Sequence, residues 1–89
     1  MAVSISSVTR NGDNVVVTFS VTPTANLYAT YVKVYDDDGT THSCSSIEGQ
    51  EATSPATINA PENGNKRKVV VWAEYRNSTC GVDFVDEPV

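Results

Sequence analysis

Leucine, histidine and tryptophan each occur once in this chain of 89 residues, and cysteine only twice. The scarcity of leucine argues against a long-helix protein, which draws on Ala, Glu, Lys and Leu. Charged residues are 19% of the chain, too few for a sequence kept disordered by charge. Only six Lys and Arg stand against eleven Asp and Glu, giving a net charge of −5. A protein that binds nucleic acid or an anionic membrane carries a basic face, so neither partner is expected. No apolar run approaches the ~20 residues of a membrane-spanning helix. The cysteines, Cys44 and Cys80, form no CxxC or Cys/His array, so a zinc site is not expected. They form a disulfide closing roughly 36 residues, worth about 3–4 kcal/mol, or stay as two buried thiols. The five glycines stand singly, without a phosphate-cradling loop. His42 has no evident nucleophile and orienting partner, so no catalysis and no cofactor are expected.

What the chain does have is valine, threonine and tyrosine in short runs. Valine and threonine are stiff at χ1 and favour the pleated sheet. Turn signals recur at Asn11 and Gly12, Pro23, Asp38 and Gly39, Gly49, Ser54 and Pro55, Pro61 to Gly64, and Gly81. Regular punctuation between such runs predicts a single all-β domain, residues 1–89, folded as a sandwich or barrel. Strands are predicted over residues 3–9, 14–22, 28–36, 41–47, 56–60, 68–76 and 82–86.

Side-chain alternation assigns faces. In the second run Val15, Val17, Phe19 and Val21 point to the core. In the third, Val32 and Val34 point inward, while Tyr31, Lys33 and Tyr35 share the other face. A lysine is costly to bury without a partner, so Lys33 sets that face outward. In the sixth, Val69, Val71, Ala73 and Tyr75 alternate with Val70, Trp72, Glu74 and Arg76. Glu74 and Arg76 need water, and parity carries Val70 and Trp72 outward with them. The reading opposed to this one puts Trp72 in the core.

The stretches VVVTFSVTP, YATYVKVYDDDG and ATINAPENGNKRKVVVWAEYRN resemble the second, third, fifth and sixth strands of immunoglobulin-like and fibronectin type III sandwiches. The resemblance spans roughly residues 14–86. It implies a seven-stranded antiparallel immunoglobulin-like sandwich and no particular activity. It also implies that the third and sixth strands are neighbours. That would set Tyr31, Lys33, Tyr35, Val70 and Trp72 together as an outer protein-interface patch.

Three charge and polar clusters have plain readings. Lys66, Arg67 and Lys68 read as a solvated turn. Asp36, Asp37 and Asp38, with Glu48 nearby, lack the spacing of an EF-hand loop and read as a hairpin without metal. Asn77, Ser78 and Thr79 spell a glycosylation sequon of little weight. The expected function is a non-enzymatic structural or interaction protein. No signal peptide is seen at the start, read as native, yet the Ser/Thr-rich, lysine-poor composition looks extracellular. A virion protein reconciles the two: a phage capsid decoration (cement) protein or appendage that binds capsid or other structural subunits, or self-associates as a homo-oligomer. An extracellular adhesion or cell-surface module cut from a larger protein is the alternative.

Overall fold

The computed structural model describes residues 2–36, 50–64, 67–76 and 80–87. Seven strands run along them: β1 (Ala2–Asn11), β2 (Asn14–Thr22), β3 (Leu27–Asp36), β4 (Gln50–Glu51), β5 (Ala56–Asn59), β6 (Arg67–Tyr75) and β7 (Cys80–Glu87). They form two antiparallel sheets, ordered β1-β2-β5 and β4-β3-β6-β7. The all-β expectation holds. Four predicted strands match β2, β3, β5 and β6 to within an end residue. The predicted strand over residues 41–47 lies outside the described residues. β4 went unannounced because two residues are too few to display an alternation.

β1 and β2 join through a turn closed by the pair Asn11 and Asn14. Its first central residue, Gly12, has φ +62°, and Asp13 is not left-handed. A single positive φ at that position is the pattern of a type II′ hairpin, which wants glycine there. The turn is therefore centred one residue beyond the Asn11 and Gly12 pair that the sequence suggests.

The inner faces of the two sheets share one core of Val15, Val17 and Phe19 from β2, Val32 from β3, Ala56 from β5, Val69 and Val71 from β6, and Ala60. Each buried valine contributes on the order of 1.5–3 kcal/mol relative to exposure. Val3, Ile5 and Val8 pack against this cluster from β1 although their parities differ. The register explains it. Pairing steps from Ile5 opposite Phe19 to Ser7 opposite Thr18, so a bulge at Ser6 shifts the alternation by one residue. The Ser6 hydroxyl donates to the Thr18 carbonyl at 3.0 Å.

Polar contacts tie the sheets together. Asp83 of β7 stands opposite core Val71 and so faces inward. Its carboxylate accepts the Ile5 backbone N–H at 2.8 Å and the Phe84 N–H at 2.9 Å. The Ile5 donor sits at the bulge, where the ladder is interrupted, and the carboxylate gives it a partner. At the C-terminal end of β6, the Tyr75 hydroxyl donates to the Pro23 carbonyl at 2.8 Å, pinning the chain just after β2.

Arg67 and Lys68 overturn the solvated-turn reading. Both are buried, at 8% and 6% exposure, and both belong to β6. Arg67 Nη1 donates to the Ala60 carbonyl at 2.9 Å, and Arg10 Nη1 donates to the same oxygen at 2.8 Å. Lys68 Nζ lies 5.2 Å from the Phe84 ring centroid. Long basic side chains lay their stems along apolar surface, so a run of basic residues does not by itself mark a wet loop. Lys66 lies outside the described residues.

Candidate functional site

β3 and β6 pair directly, Tyr31 opposite Trp72 and Lys33 opposite Val70. The adjacency that the family resemblance implied is therefore present. Val70 and Trp72 also point away from the shared core, whose β6 members are Val69 and Val71. The Tyr31 and Trp72 rings stack, with centroids 5.1 Å apart and planes 22° from parallel. Such a pair contributes about 0.5–1.5 kcal/mol beyond its area. Tyr35 pairs through its backbone with Lys68; its side chain lies outside the described residues.

The expectation that these side chains form an open patch fails for its two central members. Val70 is 0% and Trp72 1% exposed within the single chain. The parity argument was right about direction but took one face of a strand to be uniformly wet. Glu74 is half-buried and Arg76 exposed, so the wet end of the strand lies beyond Trp72. Trp72 Nε1 is sealed from solvent with no acceptor among the described residues. Tyr31 and Lys33 are half-buried. Val70 and Trp72 belong to a second, outward packing layer and not to a free docking face.

Cys80 belongs to the same side. It stands opposite Glu74, on the outward parity of β7, and it is disulfide-bonded. The alternative of two free thiols is thereby set aside. The other cysteine of the sequence, Cys44, lies outside the described residues. So do His42, Asp37, Asp38, Glu48 and the sequon at Asn77, and with them the expectations about metal and glycan. Among the described residues no cluster of three potential metal ligands occurs.

The accessible features lie at the periphery of this sheet. Among the described residues, Tyr28 and Phe84 are the large hydrophobic residues that remain exposed, at 60% and 53%. Tyr28 lies where the β3–β6 register steps from Leu27 opposite Tyr75 to Ala29 opposite Glu74. The bulge leaves it without a cross-strand partner and turns its ring outward. The Arg76 guanidinium sits 5.4 Å from the centroid of that ring. Beside it opens a groove of about 580 Å³ lined by Leu27, Tyr28, Ala29, Thr30, Glu51, Ala52 and Thr53. β4 frames the groove by pairing Glu51 with Tyr31 and Gln50 with Val32. Beyond that pair the Ala52 N–H donates to the Thr30 carbonyl at 3.0 Å, and the Thr30 hydroxyl donates to the Ala52 carbonyl.

Carboxylates surround Tyr31, next to the groove. The Tyr31 phenol is pushed above the ordinary value of 10.0, first by burial, then by the carboxylates of Glu74 and Glu51 and by Tyr28. A neighbouring anion opposes formation of phenolate. No sequence signal marked Tyr28 or the groove. Tyr28 stood at the predicted start of a strand, and a bulge is not written in the alternation. No family model, no curated protein and no solved structure matches the chain.

Proposed function

We propose that this chain is a non-enzymatic interaction domain with an immunoglobulin-like sandwich, working outside the reducing cytoplasm as part of a virion. The strand order supports the fold reading. In immunoglobulin-like sandwiches the first, second and fifth strands share one sheet and the third, sixth and seventh the other. Here β1-β2-β5 and β3-β6-β7 divide in the same way, with β4 beside β3. The observation that carries the interaction reading is Tyr28, 60% exposed at the mouth of an open groove. Tyrosine is concentrated at binding surfaces because a large, stiff ring buries area at small entropic cost. The partner in this reading is a capsid or other structural subunit, or a further copy of the chain.

The disulfide at Cys80 supports a setting at virion or cell surfaces, where such bonds persist. It favours equally a second reading, an adhesion or cell-surface module. Fluorescently labelled, oxidised protein incubated with purified virions and with intact cells of the source organism separates them. Saturable binding to virions that Tyr28→Ala weakens, at unchanged melting temperature, is the expected result. Saturable binding to cells alone selects the second reading. Binding to neither overturns both.

A further inference from the structure

We infer that the groove beside the start of β3 takes an extended, basic peptide segment of a partner protein, added as a strand to the edge of the four-stranded sheet. This deepens the interaction reading above and rests on it. The first observation is an edge left open. β4 pairs with β3 only at Tyr31 and Val32, extended by the contacts between Thr30 and Ala52. At Tyr28 and Ala29 no described strand lies on the side of β3 away from β6, while the Leu27 N–H donates to the Thr24 carbonyl at 3.1 Å. The chain leaves at Ala52 and Thr53 and joins the other sheet at Ala56, opposite Val17. The strand that would shield this edge thus departs at Ala52.

The second observation is the space left there. A groove of about 580 Å³ runs along residues 27–30 on one side and residues 51–53 on the other. An exposed strand edge beside a groove is the geometry of β-augmentation. Main-chain hydrogen bonds supply affinity in that mode, and alternate side chains supply specificity.

The third observation is charge. Glu51 lines the groove, and it acts with Glu74 on the Tyr31 phenol next to it. The whole chain carries a net charge of −5. A second copy of the chain would bring the same sign, and like charges at an edge oppose pairing. A lysine or arginine on the incoming strand meets Glu51.

The test is a nuclear magnetic resonance titration of the oxidised full chain. The probe is a six-residue peptide of alternating valine and lysine, capped at both ends. Amide shifts confined to residues 27–30 and 51–53, with a Kd of about 0.1–1 mM at low salt, are expected. Glu51→Gln should weaken binding about threefold, as for one partly screened ion pair. Two N-methylated forms, blocking alternate amides of the peptide, are the decisive pair. One should abolish binding and the other leave it, because only alternate backbone groups face the sheet. Binding that survives both methylated forms overturns strand addition. Absence of shifts, or shifts elsewhere, overturns the groove. Neither result touches the interaction reading, which stands or falls on the virion and cell experiment.

Discussion

β2 is the middle strand of its sheet and β6 one of the two inner strands of the other, yet they are buried differently. In β2, buried Val15, Val17 and Phe19 alternate with half-buried Asn14, Val16 and Thr18, and Ser20 is exposed. In β6, every residue from Arg67 to Ala73 is buried. β2 has one dry face. β6 has two, the shared core on one side and the layer of Val70 and Trp72 on the other. The difference is written in the two sequences. β2 returns to threonine and serine at alternate positions. In β6 Val69, Val70, Val71, Trp72 and Ala73 run without a polar break, as strands buried on both faces do.

The sharpest way to break this contrast is Trp72→Ala. If the outward layer is a true core, the substitution costs about 3–5 kcal/mol of folding stability in urea denaturation. A loss below about 1 kcal/mol would reduce that layer to a surface covering. A paired test follows from the alternation itself. Val71→Thr and Val70→Thr should each cost about 1–3 kcal/mol, because either hydroxyl is buried without a ready partner. In β2, Val17→Thr should cost as much while Val16→Thr stays within about 0.5 kcal/mol. Equal costs in β6 beside unequal costs in β2 would establish two dry faces against one.

The smallest effect is electrostatic and belongs to Tyr31, at the rim of the outward layer. Its folded phenol titrates above 10.0, held up by burial and by Glu74 and Glu51. The folded state therefore keeps the proton that the unfolded chain releases first. Its contribution is full below the unfolded value and is lost as pH rises through and beyond it. Melting midpoints should fall above pH about 10, and Tyr31→Phe should flatten that slope. An unchanged slope would place Tyr31 in water.

The fold was legible where one strand face is wet. Val15, Val17 and Phe19 followed from alternation alone, as did the inward Val32 and Val34, whereas the adjacency of Tyr31 and Trp72 was what the family resemblance implied. What escaped was set by departures from alternation. The bulge at Ser6 brought Val8 inward against its parity, and the bulge at Tyr28 turned its ring to solvent. Burial of Arg67 and Lys68 depends on the Ala60 carbonyl across the preceding loop and on the Phe84 ring of the next strand, partners that the alternation does not reveal. Trp72 was assigned the right direction and the wrong environment. Glu74 and Arg76 speak for their own end of the strand, and the water they require stops before Trp72.

Asp83 has a consequence for assembly. Its inward carboxylate spans the side of the sandwich where β1 and β7 approach, holding the Ile5 N–H. A charge aimed across that side is hostile to an incoming strand, a device that blunts sheet edges. The opposite edge of the same sheet is the one left short by β4. A sheet with one receptive edge can accept a strand but cannot pass the pairing on. If the edge beside β4 takes a strand as inferred above, the pairing cannot be passed on through β7.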